Sequence, residues 1–274
     1  MKKNIILLLL LVGMIQAAVK EQCMRMLPHL LFVAPALYTL HKWTTIEKKI
    51  VQHFEPMQDK KVAAFLEQEC ATITPQKIRF FVGRASLLSQ SLGETPACAT
   101  SNNIIILHPD YYAMIQNLFA QETLTEQDQG TLNILRFIVQ HEAMHIRNHD
   151  PRNRVITDTL LTLIEMAAFQ ALANRFFATK KSSVAGFVAA QTIDVLLSSW
   201  YYKWQEKNAD AGVRGAAALQ GGKILFANLL AECQMNPGLY ICDEVLNFSH
   251  PTIKSRLQRI EERIQEQQAA YQAA

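Results

Sequence analysis

Apolar residues recur at helical spacing through the centre of the chain, and a polar cluster marks the start of this segment. Thr125-Glu126-Gln127-Asp128 resembles a capping box. Apolar side chains then recur at helical spacing until Asp150-Pro151, a pair that is typical of a helix end. These side chains are Leu132, Leu135, Val139 and Ile146. The pattern predicts one long amphipathic helix between residues 125 and 150.

Two longer apolar stretches follow at residues 155–177 and 184–204, joined by a polar link over residues 179–183. Polar residues interrupt both stretches, and each charge at the centre of a bilayer would cost roughly 2.5–3.5 kcal/mol. We therefore expect a helical hairpin buried in a soluble domain, with a pair of transmembrane spans as the alternative. The interrupting residues are Asp158, Glu165, Gln170, Asn174, Gln191 and Asp194.

Strand patterns are short, and the chain ends in a further helical pattern. Residues 78–82 and 104–107 are rich in β-branched and aromatic side chains, which predicts two strands. After residue 252 an apolar stripe alternates with charged residues, as in a solvated helix that docks on a core. The stripe consists of Ile253, Leu257, Ile260 and Ile264. The expected fold class is α+β, mainly helical with a small sheet, and residues 266–274 should fray.

The first eighteen residues have the composition of an export signal. A basic start precedes the apolar residues 5–15 and the small pair Ala17-Ala18. The alternative is an uncleaved anchor that associates the protein with a membrane. Either segment places the rest of the chain outside the cytoplasm, periplasmic or membrane-anchored. We expect residues 19–74 to form a helical segment that packs on the core, and residues 75–265 to form one main domain.

Composition and charge limit the classes of partner. With 274 residues and 50% apolar content, the chain can bury one substantial core. The net charge of +3 falls to +1 without Lys2 and Lys3, which gives no reason to expect nucleic acid as a partner. Five cysteines are an odd number, and none has C-x-x-C spacing. Cys233 and Cys242 flank a turn and are candidates for a disulfide, but we assign no cysteine to a metal.

His141-Glu142-Ala143-Met144-His145 carries the candidate chemistry, and it falls on the long predicted helix. Residues four apart lie on one face of a helix, so His141 and His145 can direct their ring nitrogens at one zinc ion. Zinc lowers the pKa of a bound water toward about 7, and Glu142 is placed to take its proton. The spacing therefore predicts a zinc hydrolase site with one ion per chain.

The third ligand is less determined by the pattern. His149 continues the series by four, but a rise of about 1.5 Å per residue puts it too far along the axis to share an ion with His141. Glu165 and Glu206 both have suitable spacing. Glu206 is favoured because Asp210, four residues later, can accept a hydrogen bond from a ligand histidine, whereas Glu165 is followed by an apolar residue at that position.

Together these residues resemble a known family. His141-Glu142-x-x-His145, Glu206-x-x-Ala-Asp210 and Ser249-His250-Pro251 followed by Arg256 look like the HtpX-like and CAAX-prenyl-protease zinc metallopeptidases. The resemblance covers roughly residues 75–265 and implies a zincin-like domain with a small sheet beside the zinc-site helices.

The resemblance also implies roles for individual residues. His141, His145 and Glu206 would bind zinc, and Glu142 would act as general base and then general acid. Asp210 and His149 would lie around the ligands, and Arg256 near the substrate cleft. His250 would donate to the developing oxyanion or close over the metal.

One upstream stretch departs from the family pattern. Residues 95–103 replace the expected Asn-Ala and Pro-Gly before the strand that pairs with substrate, which affects substrate preference rather than chemistry. The expected function is cleavage of extended or unfolded exported proteins, with quality control as the expected purpose. The alternatives are a latent or non-catalytic, chaperone-like metal-binding module and an integral-membrane protease of the same family.

Overall fold

The computed structural model describes residues 37, 41, 44–83, 96–100, 102–176, 180–236, 238–239, 243 and 250–273. The predicted leader, residues 1–18, lies outside the described residues, as do Ser249 and Cys242, the candidate partner of Cys233. The chain divides into two compact units. The larger comprises residues 43–154 and 195–274, and the smaller contains residues 155–194.

The described chain is mainly helical with one small sheet, which confirms the predicted fold class. The strands are β1 (Glu55–Pro56), β2 (Arg79–Val82), β3 (Ala97–Thr100) and β4 (Ile104–Leu107). The helices are α1 (44–53), α2 (Lys60–Ala71), α3 (Pro109–Ala120), α4 (Glu126–Arg147), α5 (Asp150–Phe176), α6 (Lys180–Gly212), α7 (Ala216–Met235) and α8 (Ile253–Ala273).

The sheet has the strand order β1-β2-β4-β3, so β3 lies at one edge. β2 and β4 are parallel, with Phe80 opposite Ile105, and these are the two strands that the sequence predicts. β3 pairs with β4 in the antiparallel direction, with Cys98 opposite Ile106. All four residues of β4 are buried, as expected for a central strand covered on both faces.

Helix α4 follows the predicted segment closely. Thr125 caps its N-terminus, and its hydroxyl and the Asp128 carboxylate form the reciprocal bonds of a capping box. The helix ends at Arg147, and Asp150-Pro151, predicted as a stop, instead lies in the first turn of α5. Proline, which has no backbone N–H, is tolerated there because the N–H groups of the first turn have no intrahelical acceptor.

Helix α7 packs against α4 at a glycine pair. A Cβ added to Gly221 would lie 1.9 Å from the backbone oxygen of Asn133, and one added to Gly222 would lie 2.5 Å from the Phe137 ring. Only glycine permits this approach of two helices. Phe137 and Phe226 meet edge to face across the contact, with ring centroids 5.5 Å apart.

Two further elements complete the core of the larger unit. Helix α2, within the segment predicted to pack on the core, contributes Val62 and Leu66, both fully buried. Helix α8 buries Ile260 from the predicted apolar stripe. The tail that we expected to fray beyond residue 265 continues as helix to Ala273.

The buried hairpin expected over residues 155–204 is not what the structure describes. Large apolar side chains of α5 and α6 are exposed, among them Leu160 at 52% and Trp200 at 68%. Periodicity shows which face of a helix is apolar, but not whether another element covers it. No helix over the described residues is both long and apolar enough to cross a bilayer.

Candidate metal centre

Helix α4 presents two buried histidines to one point. His141 and His145 are one turn apart, and their Nε2 atoms lie 3.1 Å from each other. Their rings stand at 88°, with centroids 4.7 Å apart, so the two Nε2 atoms converge. Less than a tenth of either residue is exposed.

Glu206 of α6 supplies a carboxylate to the same point. Its Oε2 lies 3.2 Å from His141 Nε2, and its Oε1 lies 3.3 Å from His145 Nε2. Of the described residues, these three form the group whose ligand atoms all lie within 4.8 Å of one another. Glu165, the alternative third ligand, is not in the group.

The opposite ring nitrogen of each histidine faces an aspartate. His141 Nδ1 lies 3.0 Å from Asp210 Oδ1, the partner that the Glu206-to-Asp210 spacing indicates. His145 Nδ1 lies 2.8 Å from Asp150 Oδ2. A carboxylate beside each Nδ1 favours a proton on that nitrogen, which leaves both Nε2 lone pairs to face the centre.

Asp150 was singled out in the sequence only as part of a helix end and not as a site residue, and a turn at His149 brings it to the centre. His149 has a φ of 57°, in the left-handed region, so the chain changes direction between α4 and α5 and brings Asp150 within 2.8 Å of His145 Nδ1. His149 itself is exposed and does not join the group. The only sequence signal for Asp150 is an acidic residue soon after the second histidine.

This donor set requires positive charge at its centre. Burial lowers the pKa of His141, but Asp210 and Glu206 outweigh it and raise the pKa to about 10. Burial raises the pKa of Glu206, but the two imidazoles hold it well below its usual range. Two imidazole nitrogens and one carboxylate are the ligands of many catalytic zinc sites. The residues therefore fit zinc, which would replace the protons as the positive charge.

Glu142 lies beside this group at the edge of the sheet. It is half-buried, and its Oε2 accepts a hydrogen bond of 2.7 Å from the backbone N–H of Ala99 on β3. The predicted general base is thus held next to the edge strand. Cys98, the preceding residue of β3, has a pKa raised to about 12, mainly by burial and then by the Glu142 carboxylate.

The C-terminal residues of the predicted constellation also reach the site. Arg256 donates two hydrogen bonds to Asp210, of 2.8 and 2.7 Å, and its guanidinium stacks over the Phe226 ring. His250 lies with Nε2 3.7 Å from Glu206 Oε2, and its side chain is 43% exposed. Arg256 therefore holds Asp210, which contacts the ligand His141. His250 is partly exposed and lies next to Glu206.

Arg154 is a second residue that sequence reasoning missed. It lies in the early part of α5 and donates a 2.8 Å hydrogen bond to Glu206 Oε1. A charged residue nine positions after His145 gives no signal by itself, because its place depends on the turn at His149.

One comparison with known proteins gives a match. A model of Peptidase family M48 matches residues 102–264, more than half of the chain. The matched range includes both histidines, Glu142 and Glu206, together with the residues that surround them. No curated protein matches the chain.

Proposed function

Because the chain belongs to Peptidase family M48, a family of zinc-dependent metallopeptidases, we propose that it is a zinc endopeptidase that cuts extended polypeptide. The observation that carries the proposal is the buried convergence of His141, His145 and Glu206 beside a half-buried glutamate. When bound, zinc supplies Lewis acidity, which polarises a carbonyl and makes water a nucleophile near neutral pH.

Glu142 moves the proton in the proposed reaction. Its carboxylate takes a proton from the attacking water and passes it to the nitrogen of the leaving amine. The Ala99 N–H bond fixes one carboxylate oxygen, which leaves the other for this transfer. His250, whose partly exposed ring lies 3.7 Å from Glu206 Oε2, donates a hydrogen bond to the substrate's carbonyl oxygen as negative charge develops there.

The edge position of β3 supports an extended substrate. A peptide can add to an open sheet edge through main-chain hydrogen bonds, which tolerates many side chains. We infer that the substrates are unfolded or unassembled proteins. The composition of residues 1–18 supports export, with the enzyme periplasmic or attached to a membrane through this segment.

Glu142→Gln tests the proposal directly. Purified wild-type protein is expected to hold one zinc per chain and to cleave casein. The variant keeps the size of the side chain but cannot take a proton, so turnover should fall about 10²–10⁴-fold while zinc content is unchanged. Glu126→Gln, an exposed residue at the start of the same helix, is the matched control. Full activity of Glu142→Gln, or an inactive wild-type protein that holds zinc, would contradict the proposal.

The same assay examines His250. Loss of a donor to the carbonyl oxygen should lower kcat in His250→Ala, by about 10-fold or more. A rise in kcat would instead assign His250 to closing the site, and the wild-type enzyme to a latent form.

A further inference from the structure

The guanidinium of Arg154 joins two helices at the metal centre. Its NH2 group donates to Glu206 Oε1 at 2.8 Å, and its Nε donates to Gln205 Oε1 at 2.6 Å. Its Cζ lies 5.1 Å from the centre of the Tyr202 ring. Three residues of α6 therefore contact one side chain of α5.

These contacts close a ring of polar groups around the centre. Gln205 is fully buried, and its Nε2 donates to the backbone oxygen of Asp150 at 3.5 Å. Asp150 in turn contacts His145 Nδ1, and His145 Nε2 faces Glu206 Oε1. The ring thus links the Glu206 carboxylate to the backbone of Asp150, whose side chain contacts His145.

From this ring we propose that Arg154 is a positioning residue for the metal centre, which holds the Glu206 carboxylate in the orientation that binds zinc. The inference rests on the proposed function, because it concerns the same site. Arginine suits the task since its planar fork presents two N–H donors in fixed directions, one to each glutamine or glutamate oxygen. Lysine would provide a point charge without this geometry.

Two effects of Arg154 on zinc have opposite signs, and this makes the role measurable. A positive charge near Glu206 repels a divalent cation, so repulsion alone predicts tighter zinc binding when Arg154 is removed. Positioning predicts weaker binding, because a freed carboxylate must be ordered when the metal enters. Outer partners of metal ligands are worth about 10–100-fold in metal affinity, and we expect positioning to dominate.

The test measures zinc alone, by competition with a chelator, on full-length Arg154→Met, Arg154→Lys and wild-type protein. Arg154→Met should raise the zinc Kd about 10–100-fold, and Arg154→Lys should give an intermediate value. Arg152→Gln, an exposed residue of the same helical turn, is the matched control and should keep the wild-type Kd. If Arg154→Met does not fold, Arg154→Lys serves as the test in its place. A zinc Kd of Arg154→Lys within about twofold of wild type then overturns the proposal.

Kinetics with saturating zinc separate positioning from substrate binding. Positioning predicts that kcat falls while KM stays within about twofold, because the side chain does not touch substrate. A raised KM with an unchanged zinc Kd would assign Arg154 to the substrate and overturn the inference. So would tighter zinc binding by Arg154→Met. A wild-type chain that binds no zinc would refute the proposed function itself, which is a different result.

Discussion

The metal centre and residues 155–194 differ in whether their buried carboxylates have cationic partners. At the centre, Glu206 contacts two imidazoles and a guanidinium, and Asp210 accepts two hydrogen bonds from Arg256. In the smaller unit, Glu165 is also buried, but its Oε1 has no hydrogen-bond partner among the described residues. Burial, and then the nearby Asp194 carboxylate, raise the pKa of Glu165 to about 7.

The two regions also differ in apolar surface. The centre lies against a close-packed core, whereas residues 155–194 expose apolar side chains along their helices. These exposed side chains are Ile156, Leu160, Leu163, Ile164, Val188 and Ile193. A similar apolar pattern therefore serves two purposes in this chain. One part surrounds a metal centre whose buried carboxylates contact cationic side chains, and the other leaves large apolar side chains exposed.

The largest difference should appear when the two buried glutamates are exchanged for glutamine. Glu206→Gln replaces a charged ligand by a weak neutral one, and the loss of zinc should raise the activation free energy by about 4 kcal/mol, which lowers kcat/KM about 1,000-fold or more. Glu165→Gln should leave zinc content and activity unchanged, because a neutral amide resembles a carboxyl group whose pKa is already raised to about 7. Zinc per chain after dialysis and casein turnover measure both. Zinc loss in Glu165→Gln would show that Glu165 also contributes to metal binding.

A smaller effect should follow from acid titration of Asp210. Burial raises its pKa, but Arg256 and then His141 lower it from 3.8 to about 2 in the folded chain. The ionised group therefore stabilises the fold above pH 4, and this contribution is lost as the pH falls toward 2. It corresponds to about 2 kcal/mol of unfolding free energy.

Urea unfolding of the metal-free chain measures this contribution. The stability difference between wild type and Asp210→Asn should shrink by about 2 kcal/mol between pH 5 and pH 2. Asp110→Asn, whose side chain is 86% exposed, is the control and should show no such trend. A difference that stays constant with pH would mean that Asp210 is not held by its cationic partners.

The smallest effect is expected at the exposed apolar side chains of residues 155–194. Leu160 is 52% exposed, so Leu160→Ala should change the unfolding free energy by no more than about 0.5 kcal/mol. Leu66 is fully buried in the core, and Leu66→Ala should cost about 2–5 kcal/mol. Chemical denaturation of both variants sharpens the contrast. A loss above about 2 kcal/mol for Leu160→Ala would show that the Leu160 side chain is buried in the folded protein.

Sequence reasoning predicted the residues whose spacing is local or carried by a specific motif. His141 and His145 are one turn apart, and Glu206 is marked by Asp210 four residues later. The structure brings all four together. Capping residues likewise placed the start of α4 at Thr125.

Residues that depend on a change of chain direction were beyond the same reasoning. Asp150 and Arg154 reach the centre because His149 adopts a left-handed conformation. Non-glycine residues seldom adopt this conformation, and no sequence pattern predicts it here. The exposure of Leu160 was missed for a related reason. An apolar face is a local property, but its covering depends on the arrangement of distant segments.

The contact at Gly221 makes the metal centre sensitive to a position far from it. Because Gly221 has no side chain, α7 can approach α4, the helix that carries His141. The backbone that a Cβ at Gly221 would meet belongs to Asn133, two turns before His141. A methyl group at Gly221 would force α7 and α4 apart, and a shift of α4 would displace both imidazoles. The position of the two histidine ligands therefore depends in part on glycine at position 221, a residue with no polar side chain.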